Sequence, residues 1–246
     1  MSAIGTLLPR LRQQRPLVHC VTNPVSQLFV ADTLNAISAR PIMATGAQEV
    51  AEIAGAAGGV LINIGVPQGS ETYLKAAKAA KAWVLDPVGV GGTAFRNQIA
   101  KDLLAAKPAI IRGNAGEIMA LAGQAEVVEG VDSLVTPEEA AGAAKLLAEK
   151  LGCVIAMTGE TDYVVSTNRV NRLTGGDPMM AVVTGTGCAS GALCAAFLAV
   201  ADDPFDAAVA ALHLMSGAGD HAARSAKGPG SFKVAFLDAL YGAAAQ

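Results

Sequence analysis

Short apolar runs recur along the chain, at Leu17–Val21, Pro41–Ala44, Val60–Ile64, Trp83–Asp86, Ala109–Ile111 and Val154–Met157. Each is nearly continuous in apolar residues rather than alternating, the pattern of a strand covered on both faces. Between them lie alanine-rich stretches that read as helices, near Val25–Ser38, Glu49–Ala56, Glu71–Lys81, Ala94–Ala106 and Pro137–Leu151. Buried strands alternating with helices predict an α/β fold, a mainly parallel central sheet with helices on both faces. Asp162–Ser166 and Arg169–Leu173 flank Thr167-Asn168 and read as a hairpin on the sheet edge. After Thr184 the pattern turns helical: Cys188–Val200, Pro204–Ala226, then a short helix after Gly228-Pro229-Gly230. Val127–Val135 reads as a surface loop. No repeat, low-complexity run or linker interrupts the pattern, so residues 1–246 are expected to form one domain.

Composition narrows the partners. Apolar residues make up 52% and charged residues 16%, the balance of a chain with a large core and not of a disordered one. A net charge of −3 and an aromatic share of 4% argue against nucleic acid and against an anionic membrane surface. The uncharged stretch from Pro178 to Ala201 is long enough to span a bilayer. Its first half carries glycines and hydroxyls, however, so a buried strand–loop–helix unit is expected there instead. Cys20, Cys153, Cys188 and Cys194 form no CxxC pair, and Met1 to Arg15 has no secretory pattern. They read as free thiols in a reducing cytoplasm.

In open α/β sheets ligands bind at the carboxyl ends of the strands, and four such ends carry unusual residues. Asp86 follows an apolar strand and precedes Pro87 and a glycine loop, a placement suited to a metal or phosphate or to capping a turn. Arg112 offers a fork of donors for phosphate oxygens. Asn114 is a candidate helix N-cap, and Glu117, three residues on, either closes a capping box or joins Asp86 in a carboxylate pair for Mg²⁺. Met157-Thr158-Gly159-Glu160 offers small residues and a hydroxyl, fit for a nucleotide or for a plain turn. The fourth end, Val183-Thr184-Gly185-Thr186-Gly187-Cys188-Ala189, passes from an apolar run through glycines into a helix. Unpaired backbone N–H groups and the helix dipole there suit the transferring phosphoryl group, unless the turn serves packing alone.

Gly89-Val90-Gly91-Gly92-Thr93-Ala94 mimics a dinucleotide fingerprint but lies far from the first strand, and a lone match of that kind is weak. No GxxxxGK[ST] occurs, which excludes a P-loop kinase. His213 and His221 read as ordinary helix-face residues. His19 is nearer the expected site, though Thr22 and Asn23 beside it suit a polar substrate better.

With these residues assembled, the chain resembles the hydroxyethylthiazole kinases over nearly its full length. The resemblance rests on HCVTNPVSQ (His19–Gln27), INIG (Ile62–Gly65), LDPVGVG (Leu85–Gly91), IRGNAGEI (Ile111–Ile118), MTGETD (Met157–Asp162), TGTGCASG (Thr184–Gly191) and GPGSF (Gly228–Phe232). It implies a ribokinase-like three-layer sandwich, assembled as a homotrimer with active sites at subunit interfaces. It implies Mg²⁺ as cofactor, ATP as co-substrate and a small thiazole alcohol as acceptor. In that pattern Met43, Gly185 and Asn23 bind the alcohol, Arg112 and Thr158 bind ATP, and Asp86 and Glu117 lie by the Mg²⁺–phosphate region. The turn Gly185-Thr186-Gly187-Cys188 is catalytic, with Cys188 where most ribokinase-like enzymes carry an aspartate base. An alcohol is a far weaker acid than a thiol, and a loose transition state needs little early deprotonation, so Cys188 is expected to contribute modestly or to be a small helix-start residue. The stretch from Gly65 to Trp83 is short for the family, which predicts a helix near Glu71–Lys81 that has lost turns.

Overall fold

The computed structural model describes residues 2–67, 69–124 and 137–245. Numbered in chain order, β1 (Leu17–Val21), β2 (Arg40–Ile42), β3 (Gly59–Asn63), β4 (Trp83–Asp86), β5 (Ile110–Asn114) and β6 (Val154–Thr158) are mutually parallel. β7 (Thr161–Val165) and β8 (Val170–Thr174) add an antiparallel hairpin, giving one sheet in the order β2-β1-β3-β4-β5-β6-β7-β8. Strand side chains alternate between two cores. Leu61 enters one apolar cluster, whereas Val60 and Ile62 enter the other, as period-two geometry requires of a strand covered on both sides.

The first face carries α1 (Ala3–Gln14), α2 (Gln27–Ala36), α9 (Thr186–Leu198), α10 (Pro204–Ala223) and α11 (Pro229–Ala245). The other carries α3 (Val50–Ala56), α4 (Glu71–Ala79), α5 (Ala94–Ala105), α6 (Ala115–Gln124) and α7 (Pro137–Leu151). α9 is the central helix and is buried on nearly every side, from Ala189 through Leu198. It lies unusually close to the sheet. A Cβ added at Gly59 would stand 2.0 Å from the Ala195 carbonyl oxygen, so only glycine fits there.

Several expectations need correction. The run before Gly185 is no strand: Pro178 starts a helical turn, α8 (Met179–Val182), whose first N–H donates to Asp177 Oδ1 at 2.8 Å. The final helix is not short but 17 residues long, because Phe232, Phe236 and Leu240 form a fully buried stripe at spacing four. α1 was not anticipated; Leu7, Leu8 and Leu11 anchor it. β2 ends at Ile42, leaving Met43 and Ala44 beyond the strand. β5 extends to Asn114, so Arg112 sits within a strand opposite Ala156. The expected loop at 127–135 lies outside the described residues. No helix among the described residues is long and apolar enough to cross a membrane.

Candidate active site

Parallel strands deliver their carboxyl ends to one edge, and here five neighbouring strands send polar side chains to it. They touch in sheet order. Asn23, two residues beyond β1, donates from Nδ2 to Asn63 Oδ1 at 2.9 Å. Asn63, closing β3, donates to Asp86 Oδ2 at 2.6 Å. Asp86, closing β4, is fully buried and has Arg112 Nη1 3.5 Å from its Oδ1. Arg112 Nη2 then donates to Thr158 Oγ1 at 2.7 Å, at the end of β6. Register sets the order, since Asn63 stands opposite Asp86 and Asn114 opposite Thr158.

The start of α9 closes over this row. Gly185 is the N-cap, with φ 99°; the Thr186 N–H donates to Val183 O at 3.4 Å and no side chain caps the helix, so the Gly187 and Cys188 amides are available to an anion. A Cβ at Gly187 would lie 3.0 Å from Arg112 Nη1, and one at Gly191 would lie 3.3 Å from Asp86 Oδ2. The two glycines lie one turn apart and let the guanidinium and the carboxylate pass beneath the helix. Cys188, half-buried between them, receives Asn63 Nδ2 at 3.2 Å and Asn23 Nδ2 at 3.6 Å. The Thr186 hydroxyl donates to Met180 O at 2.6 Å, tying the turn to α8.

Asp86 has its carboxyl pushed up to about 6, first by burial, with the Arg112 guanidinium opposing and the Glu117 charge reinforcing the rise. Glu117 serves two structural partners. Its Oε2 accepts from Asn114 N–H at 2.9 Å while Asn114 Oδ1 accepts from Glu117 N–H at 2.8 Å, a reciprocal capping box. Its Oε1 accepts from Gly89 N–H at 3.0 Å and holds the glycine loop after Asp86. That loop is therefore a clamped support: Asn97 Oδ1 also takes Gly91 N–H at 2.7 Å. Asp86 Oδ1 is buried without a hydrogen-bond partner.

Beside this row opens a cavity of about 620 Å³ whose lining includes Arg112, Thr158, Gly159, Asp162, Gly187 and Met215. Its volume is that of a ligand pocket. Asp162 in its wall is raised by burial, with Gly159 N–H opposing. The structure thus brings Arg112, Thr158, Thr186 and Gly187 to the cavity, and Asn23, Asp86, Glu117, Gly185 and Cys188 to the row beside it. Met43 stands apart on the segment after β2, next to Ala44, whose carbonyl is 2.7 Å from His19 Nε2. His19 is buried and held below its ordinary range by desolvation, so it acts as a neutral tether.

Two residues of the site were not anticipated in this role. In the sequence Asn63 lies within the apolar run Val60–Ile64 and the INIG segment, with no role of its own. Arg96 donates to Ile64 O at 2.6 Å, Val88 O at 2.7 Å and Gly65 O at 2.8 Å, stapling the loops after β3 and β4; nothing in its helical setting signals this.

The fold has solved counterparts. A ribokinase-like superfamily protein from Enterococcus faecalis superposes with a TM-score of 0.67, covering 99% of this chain and 95% of that one at 14% identity, a likeness of fold alone. The hydroxyethylthiazole kinase protein of Pyrococcus horikoshii superposes with a TM-score of 0.90 at 37% identity, over 97% of this chain and 92% of that one. The hydroxyethylthiazole kinase of Yersinia enterocolitica is 46% identical over 240 residues, 95% of this chain and 92% of its own length. Fold and site together define a ribokinase-like small-molecule kinase. A model of the hydroxyethylthiazole kinase family matches residues 8–246, and the chain belongs to that family.

Proposed function

We infer that the chain transfers a phosphoryl group from ATP to the hydroxyl of 4-methyl-5-(2-hydroxyethyl)thiazole, with Mg²⁺, as one domain within a cytoplasmic homotrimer whose sites lie at subunit interfaces. One observation carries the reading: the uncapped first turn of α9 stands over Arg112 and Asp86, close enough that a methyl group at Gly187 would meet the guanidinium at 3.0 Å. An electropositive helix start, a cationic fork and a buried carboxylate then share one cleft.

In this reading Arg112 and Thr158 hold the ATP phosphates at the mouth of the cavity, and the amides of Gly187 and Cys188 receive the transferring group. The thiazole alcohol lies on the other side, against Gly185, Asn23 and the Met43 segment. Divalent-cation binding fits Asp86, whose Oδ1 has the Arg112 charge at 3.5 Å but no hydrogen bond, with Glu117 nearby. A cation there would be held by one or two carboxylates together with the nucleotide phosphates. Mg²⁺ would supply charge neutralisation on the phosphates. Cys188, facing the acceptor, contributes a modest share, because a loose transition state leaves most of the barrier to positioning and charge.

The assay is direct. Purified protein should convert ATP to ADP only when the thiazole alcohol and Mg²⁺ are both present, as read by coupled ADP detection. Folded protein without that turnover ends the reading.

A further inference from the structure

Asn63 is 1% exposed and closes β3, with Asp86 as its register partner on β4. A side-chain amide offers two donor hydrogens and an oxygen with two acceptor positions, and here all four are occupied. Its Nδ2 donates to Asp86 Oδ2 at 2.6 Å and to Cys188 Sγ at 3.2 Å. Its Oδ1 accepts from Asn23 Nδ2 at 2.9 Å and from Gly65 N–H at 3.0 Å. Reversing the amide would set its oxygen against a carboxylate and its hydrogens against two donors, so the neighbours determine its orientation.

The sulfur of Cys188 faces two amide donors, from Asn63 and Asn23. Neither of these two amides leaves an acceptor for a thiol proton. Asn63 Oδ1 is full, and Asn23 Oδ1 already accepts from Val25 N–H and Ser26 N–H at 3.1 and 3.2 Å. The sulfur is therefore presented as an acceptor to the row and keeps its remaining capacity for the opposite side.

We propose that Asn63 is a positioning residue for phosphoryl transfer, one amide that holds the Asp86 carboxylate and the Cys188 sulfur at a fixed separation and so aligns the cation side of the site with the acceptor side. The turnover part of the test rests on the kinase reading above. The alignment itself is read separately, by the reactivity of Cys188 in protein that need not turn over.

Asn63→Ala should lower kcat about 30-fold, the loss of two hydrogen bonds to functional groups, with KM for ATP changed less than about threefold. Alkylation of Cys188 by iodoacetamide, followed by mass spectrometry, should slow at least about fivefold. The other thiols stay silent in that experiment, since Cys20, Cys153 and Cys194 are buried and burial pushes Cys153 and Cys194 up to about 12. In a Cys188→Ala background the effect of Asn63→Ala on kcat should shrink to less than about a third of its size, because coupled residues are not additive. A purely structural role would lower thermal stability while leaving alkylation and the kcat-to-KM balance alone. A folded Asn63→Ala protein with unchanged alkylation and kcat within about threefold of the parent overturns the proposal. If the parent shows no turnover with the thiazole alcohol, the kinase reading fails and alkylation alone judges Asn63. Should Asn63→Ala not fold, the side-chain amide resonances of Asn63 decide. They should shift between the parent and Cys188→Ala, and identical resonances refute the contact.

Discussion

The two halves of the site differ in how much of them is already built. On the β1–β3–β4 side, Asn23, Asn63 and Asp86 are all at most 7% exposed and joined by hydrogen bonds, with α9 pressed against them. On the β5–β6 side, Arg112 and Thr158 face a cavity of about 620 Å³ bounded by the hairpin and by Gly175 to Pro178. The first half is bonded within itself, so a group bound there meets donors and acceptors whose positions are set before it arrives. The second half is a receptacle, whose contacts form when a ligand fills it. Damage to the built half should therefore appear in turnover and stability, and damage to the open half in KM.

The strongest way to break the contrast is Asp86→Ala. It removes the carboxylate from the centre of the row and should cost about 10³-fold in kcat, measured in steady state on protein with an unchanged far-UV spectrum. A larger change in KM for ATP than in kcat would mean that the built half is no more catalytic than the open one.

Next comes Gly59→Ala, under α9. Its methyl would sit 2.0 Å from the Ala195 carbonyl oxygen, so the helix must lift from the sheet. A loss of about 3 kcal/mol is expected by chemical denaturation, since backbone has to move. A neutral result would show that α9 is not tightly seated.

Third is pH. The Asp86 carboxyl is raised to about 6 in the folded protein, first by burial. Between the ordinary carboxylate value and that point the folded state holds a proton that the unfolded chain has released. Metal-free protein should therefore lose stability as pH rises through this window, by about 3 kcal/mol in total, with no further loss from this group above it. Thermal midpoints across the range should show the slope, and Asp86→Asn should flatten it.

The mildest expected effect lies in the open half. Thr158→Ala frees one arm of Arg112 and should raise KM for ATP about tenfold, with kcat and thermal midpoint nearly unchanged. An equal fall in kcat would erase the distinction between the halves.

Much of the fold was legible from local pattern. Apolar runs such as Val60–Ile64 and Trp83–Asp86 have no polar face, so they had to be covered on both sides. The run before Gly185 deceived because AVVT is as apolar as a strand, yet Asp177 caps it into a helical turn. The stripe of Phe232, Phe236 and Leu240 lies behind a proline–glycine start that reads as a short helix. In the site, Asp86 and Arg112 stood out as charges bordering apolar strands. Asn63 and Arg96 did not, because amides and helix-borne arginines are ordinary in sequence and become special only through what they touch.

By itself the sequence determined the alternation of buried strands and helices, the glycine turn that opens α9 and the charged residues near strand ends. Those features follow from local chemistry: period, glycine freedom and the unpaired amides of a helix start. Only the tertiary structure decided that Asn63 meets Asp86 and Cys188, that Glu117 grips its own cap and the glycine loop together, and that Arg112 passes under Gly187. Such meetings join positions as far apart as residues 23 and 188, and they depend on strand register and on how closely a helix lies on its sheet, distances that no local pattern encodes.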